Sequence, residues 1–152
     1  IAKGSLFLCA GIVEQKMHTK DITKMGGLVK SMPLTALAFA LSAFSVMGLP
    51  PFGGFFGKFF VFKGAIETND IIVSTIFFIG AILTMLYLSR LFYKIFLGSE
   101  KPNMPREGSS TMVASVLFLA FLGLVLGILI TYPFNYASIT TETMYMMGVN
   151  IQ

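Results

Sequence analysis

The sequence predicts an all-α integral membrane protein of four transmembrane helices, the second discontinuous at Gly48–Gly54. Three observations lead there. Hydrophobic residues make up 55% of the chain and charged residues 12%, where soluble domains carry about 25% charged residues. The apolar residues fall into four long runs separated by short polar loops. One of those runs holds the stretch Gly48-Leu-Pro-Pro-Phe-Gly-Gly-Phe-Phe-Gly-Lys58, which puts helix-breaking residues and a lysine where hydrocarbon is expected.

The four spans cover residues 1–13, 34–62, 71–89 and 111–131, and together form a single membrane module over residues 1–152. Crossing a bilayer takes roughly 20 residues, so the first run is short and open at its start. The chain begins with Ile, and Lys3 arrives before any flanking loop. The expectation is therefore a fragment, a processed chain or one half of a split subunit. No signal-peptide pattern is present. As one straight helix, residues 34–62 would run about 43 Å against a hydrocarbon core of about 30 Å. An interruption at mid-membrane absorbs that excess. Pro50 and Pro51 lack backbone donors, and Gly48, Gly53 and Gly54 permit unusual backbone angles. Irregular backbone at membrane depth survives only when buried in protein or lining a wet cavity.

Charge orients the spans. The first loop carries Lys16, Lys20, Lys24 and Lys30, and the third carries Arg90, Lys94, Lys101 and Arg106. The second connection has Glu67 and Asp70 and no basic residue. The positive-inside rule then places loops 14–33 and 90–110 in the cytoplasm and the C-terminus outside, in a cell or inner membrane. The net charge of +4 comes from those two loops, so it reflects topology and not nucleic-acid binding. Residues 21–27 read as a short helix stopped by Gly26 and Gly27, with Met32-Pro33 opening the second span.

An ionisable residue inside a membrane is a functional candidate. Lys58 is followed by Phe59, Phe60, Val61 and Phe62, so it sits within the apolar run. Desolvation disfavours its ammonium form, and a nearby charge can then tip it between protonated and neutral. An interfacial lysine reaching the headgroups is the plain alternative. Lys63 and Glu67 read as an interfacial ion pair, five or more residues beyond Lys58 and on another face. Glu14, Arg90 and Lys94 read as anchors at the cytoplasmic flanks, and His18 as a solvated or hydrogen-bonded loop residue. Ser42, Ser45, Ser74, Thr75 and Thr84 are suited to a water path or to hydrogen bonds between helices. Gly123-x-x-x-Gly127 permits close helix approach. The phenylalanines of residues 52–62 and Met144, Met146 and Met147 read as packing. Cys9, the sole cysteine, and one histidine make no metal cluster. No nucleotide-binding or nucleophile motif occurs, so no catalytic residue and no cofactor is assigned to this chain.

Three motifs in order resemble the antiporter-like subunits shared by respiratory complex I, Mrp cation/proton antiporters and membrane-bound hydrogenases. They are Lys3-Gly-Ser-Leu-Phe-Leu-x-Ala-Gly11, Thr19-x-Asp-Ile-x-x-Met-Gly-Gly-Leu28 and the Gly48–Lys58 stretch. They cover about the first 70 residues; the last two spans match only in hydropathy. Members of that family have roughly fourteen helices in two inverted repeats, and the chain resembles their C-terminal four. The resemblance implies proton-translocation roles for Lys58, after the break, and for Lys3, at a central relay position. It implies proton or sodium/proton movement through an outer-side half-channel. Implied partners are other membrane subunits, including whatever supplies the missing helices, and through them a redox-driven oxidoreductase or an antiporter. A histidine-containing stretch before Lys3 and the ionisable residues of the first repeat are absent, so this chain cannot pump alone. The alternative is a non-conducting structural or assembly module.

Overall fold

A computed structural model describes residues 1–99 and 105–130. Residues 100–104 and 131–152 lie outside the described residues, and with them Lys101, the last residue of the expected fourth span, the C-terminus and Met144, Met146 and Met147. The described residues are helical without strands, in the order α1 (Ala2–Met17), α2 (Leu28–Ser31), α3 (Pro33–Met47), α4 (Gly53–Glu67), α5 (Ile71–Phe92) and α6 (Ser110–Leu129). A π-helical turn, Tyr93–Leu97, continues α5, so this apolar helix runs 27 residues from Ile71 to Leu97. It and α6 are the two described helices long and apolar enough to cross a membrane on their own.

Local chemistry sets the boundaries. Helix α1 runs four residues past the apolar stretch to Met17 and ends where His18 turns left-handed, its N–H donating to the Glu14 carbonyl. Only one 3₁₀ turn, Ile22–Lys24, forms where a short helix is expected. Asp21 caps it by accepting from the Thr23 N–H at 3.0 Å and the Thr23 hydroxyl at 2.6 Å. Those bonds hold the Asp21 carboxyl below its ordinary value. Gly27, at φ 66°, starts α2. Pro33 stands at the first position of α3, where its missing N–H costs nothing. Asp70 caps α5 through the Val73 N–H at 3.0 Å.

The core lies where α1, α3 and α6 meet. Cys9 and Ile12 of α1, Ala36, Ala38 and Phe39 of α3, and Val116 and Ala120 of α6 are buried there. The small residues on α3 let its neighbours approach closely, which is how helices associate where lipid supplies no hydrophobic drive. Helix α5 is peripheral, with 6% of its most apolar window buried.

Candidate functional site

The second apolar run is interrupted, as its prolines and glycines predict, but the interruption is shorter than expected. It covers Gly48 to Phe52, and Gly53 and Gly54 form the first turn of α4. Gly48, at φ 84°, closes α3: the Leu49 N–H donates to the Phe44 carbonyl at 3.0 Å and the Gly48 N–H to Ser45 at 3.2 Å. That pair of bonds is a Schellman cap, and its left-handed residue is the glycine. Pro50 and Pro51, joined by a cis peptide bond, follow immediately. Helix α4 then begins alongside the last turn of α3 and not beyond it. At Gly54 an added Cβ would overlap the Ser45 carbonyl, so this position admits no side chain without backbone movement.

Lys58 bends back from the second turn of α4 to this break. Its Nζ donates to the Met47 carbonyl at 2.9 Å. Met47 is the last residue of α3, and its oxygen has no partner within the helix. A cation there also meets the negative end of the helix dipole. The lysine stem passes over Gly48, where a Cβ would stand 2.8 Å from Lys58 Cδ. Gly48 thus serves both the turn and the lysine. Helix α6 seats the break from the other side: at Gly127 a Cβ would collide with Gly53 N, the Pro51 carbonyl and Phe52.

Lys3 and Lys58 line the same open cleft of about 580 Å³, together with Ser45, Gly54 and Leu126. That volume far exceeds the ~10–15 Å³ one water needs on the same measure. Lys3 is exposed and Lys58 half-buried. Next to the cleft, Ser42 Oγ donates to Ser5 Oγ at 2.8 Å, and Ser5 donates to the Val116 carbonyl at 3.2 Å. The Ser42 hydroxyl therefore ties α3 to α1 and α6. A second polar cluster lies at the other end of α3. Glu107 accepts from the Leu34 N–H at 2.7 Å, the Thr35 N–H at 3.3 Å and the Thr35 hydroxyl at 2.9 Å. Thr35 and Ser42 are seven residues apart, about 10 Å along α3, so the two clusters are separate.

The other sequence candidates stand apart from this cleft. Glu14 pairs with Lys20 at 3.4 Å and Lys63 with Glu67 at 3.6 Å, all four exposed, and His18 caps α1. Ser74 donates to the carbonyl of the α5 cap residue Asp70, and Thr75 and Thr84 to carbonyls four residues back in α5, so they serve their own helix. Among the described residues no three His, Cys, Asp or Glu side chains come together to hold a metal. Sequence reasoning missed Glu107, which lies 72 residues from its partner Thr35 and carries no local signal. It also missed Ser5, whose cue was its place one turn before Cys9 on the buried face of α1.

The family described as NADH:quinone oxidoreductase/Mrp antiporter, TM, matches residues 1–84. The chain belongs to that family. The match contains α1, the break and Lys58, and this antiporter-like protein is a membrane protein by the same relationship. It is 35% identical over 139 residues to a Na(+)/H(+) antiporter subunit of Alkalihalophilus pseudofirmus, an alignment covering 82% of this chain and 17% of that one. It is 31% identical over 148 residues to a Na(+)/H(+) antiporter subunit of Bacillus subtilis, covering 95% of this chain and 30% of the relative. In a solved Mrp complex from a Dietzia species, one chain superposes with a TM-score of 0.77 at 25% identity, over 84% of this chain and 32% of that chain. The chain thus spans less than a third of the length of each of these relatives.

Proposed function

We propose that this antiporter-like chain contributes the outer-side half-channel of a subunit that moves protons, or exchanges them for sodium, across a cell or inner membrane. In this reading α3 and α4 jointly make one discontinuous span, so that four spans cross. Loops 14–33 and 90–110 face the cytoplasm, and the C-terminus lies outside. The remaining helices come from another segment or chain of a multi-subunit complex, as the names of the Na(+)/H(+) antiporter subunits and of the Mrp complex suggest. No cofactor is assigned to this chain in that reading.

Lys58 is the reversible carrier. The observation that supports this most is its position: the ammonium sits on an unpaired helix-end carbonyl at a break in the span, in one cleft with Lys3. A charge change in the neighbouring helices alters the protonation of Lys3 and then of Lys58, which releases its proton outward past residues 48–52. The test is Lys58→Met in the assembled complex, reconstituted in vesicles with a pH-sensitive dye inside. Translocation is expected to fall at least tenfold while the stoichiometry of the complex stays intact. Unchanged translocation refutes the carrier role. A second reading, a non-conducting structural module, draws on the same bond, since an amine engaged by a carbonyl also works as a helix cap. It predicts that Lys58→Met loosens the assembly and leaves ion flux per assembled complex unaltered.

A further inference from the structure

The peripheral helix α5 carries a second feature, at the opposite end of the bundle from residues 67–70. Leu86, Tyr87, Arg90, Leu91 and Lys94 stand three, four, seven, eight and eleven residues after Leu83, so the six share one helix face. They line a groove of about 710 Å³ whose other wall is the first loop, from Lys20 to Thr23. Leu83, Leu86 and Tyr87 are each at least 60% exposed. The stripe is apolar along its length and cationic at one end. From Leu83 to Lys94 is about 16 Å at 1.5 Å per residue, close to half of a bilayer core of about 30 Å. Tyr87 and Tyr93, both exposed, flank Arg90 and mark headgroup depth as interfacial aromatics do.

We infer that this groove binds one anionic phospholipid, its phosphate held by Arg90 and Lys94 with Lys20 opposite, and an acyl chain lying along Leu83, Leu86 and Tyr87. Charge complementarity selects this occupant. Among the described residues neither Arg90 nor Lys94 forms an ion pair, while Lys20 meets Glu14 at 3.4 Å. The one carboxylate in the groove wall, Asp21, is engaged by Thr23 and lies 4.0 Å from Lys24. Two uncommitted cations above an apolar slot suit an anionic headgroup with a chain attached; basic pockets beside transmembrane helices take such lipids. A zwitterionic lipid or a free phosphate satisfies only half of the site.

The experiment uses the complete membrane complex in neutral detergent and photoactivatable phosphatidylglycerol, with phosphatidylcholine bearing the same acyl diazirine as the comparison. Labelled peptides are mapped by mass spectrometry. Phosphatidylglycerol is expected to label residues 83–94 on the order of tenfold or more above phosphatidylcholine, from the attraction of two to three cations. Arg90→Gln with Lys94→Gln is expected to bring the two lipids level, whereas Lys63→Gln leaves the preference unchanged. Excess inorganic phosphate is expected not to compete. Equal labelling by both lipids in the wild type, or a preference that survives the double substitution, overturns the proposal. So does loss of label with free phosphate, which makes the site one for phosphate alone. An α5 stripe left unlabelled by either lipid means that a neighbouring chain covers it, and also overturns the proposal.

Discussion

Glu107→Ala is predicted to destabilise the bundle far more than a half-exposed loop residue usually does. Its carboxylate caps α3 from a loop 72 residues away, taking the Leu34 N–H at 2.7 Å and the Thr35 hydroxyl at 2.9 Å, with the Thr35 N–H sharing an oxygen at 3.3 Å. The first two are good charge-assisted bonds, each about 1.5–3 kcal/mol at most when buried, and the third is weak. Half-exposure discounts them. A side-chain cap is worth about 0.5–2 kcal/mol and its charge at a helix N-terminus about 0.3–1 more. The sum is about 0.8–3 kcal/mol, or roughly a 4- to 160-fold shift in the unfolding equilibrium. At about 2–4 °C per kcal/mol for a chain of this size, the midpoint falls by about 2–12 °C. Differential scanning fluorimetry of the purified protein in detergent reads this directly. Glu107→Gln retains an acceptor but not the charge, so its loss should be about half as large. A Glu107→Ala midpoint within about 1 °C of wild type would show that the cap contributes nothing and that water replaces it.

The two glycines of Gly123-x-x-x-Gly127 should prove unequal. A Cβ at Gly123 meets nothing closer than Ile1 Cγ2 at 4.0 Å, so Gly123→Ala should be neutral or stabilising by up to about 1 kcal/mol through helix propensity. Gly127→Ala, aimed at the backbone of the break, should cost about 1–3 kcal/mol by overpacking, read as lost thermal stability. Lys63→Gln removes an exposed pair at 3.6 Å worth about 0–1 kcal/mol and should leave ion flux in reconstituted vesicles unchanged. Asp21 titrates below its ordinary 3.8 chiefly because the Thr23 hydroxyl and N–H stabilise the charged form. A depressed carboxyl contributes stability above its unfolded value and loses it as pH falls through the folded one. Thr23→Val should accordingly move the Asp21 titration upward, followed by carboxyl-carbon NMR, and an unmoved titration would discard the hydroxyl as the cause.

The break was legible because proline and glycine act locally: Gly48 can adopt φ 84° and Pro50-Pro51 cannot continue a helix, whatever surrounds them. Its end was misplaced at Gly54. Glycine pairs read as breakers in isolation, yet Gly53 and Gly54 are glycine because α4 starts against the α3 backbone, a tertiary reason with no local trace. For the same cause, a GxxxG pair read as helix packing turns out to seat the broken backbone through one of its two members. Helix α5 continues past Ser89, the end of the expected third span, into residues where Arg90 and Lys94 signal a flank. On a helix this exposed, those side chains can project sideways while the backbone continues through a π turn to Leu97. The Glu107 cap and the Ser5–Ser42 bond join residues 72 and 37 positions apart, and pairing at that distance is invisible to any window.

The bond between Lys58 and Met47 bears on whether one residue can be both cap and carrier. A protonated lysine at the end of α3 contributes a hydrogen bond and an attraction to the helix dipole. A neutral amine still has N–H groups to donate, so giving up the proton would cost the attraction and keep the hydrogen bond. The dipole part is about 0.3–1 kcal/mol at exposed ends and reaches about 2 where partly buried, which is small beside the rest of the packing that holds the break. Gly127 against the Pro51 carbonyl and Gly54 against Ser45 carry that packing and are uncharged. In the proposed cycle the broken backbone therefore need not rearrange each time Lys58 changes state. An arginine would hold the same carbonyl but remain charged, so Lys58→Arg should keep stability and abolish translocation. Methionine, by contrast, should cost both translocation and about 1–3 kcal/mol for the carbonyl left unpaired. A Lys58→Arg protein that still translocates would break this separation of roles.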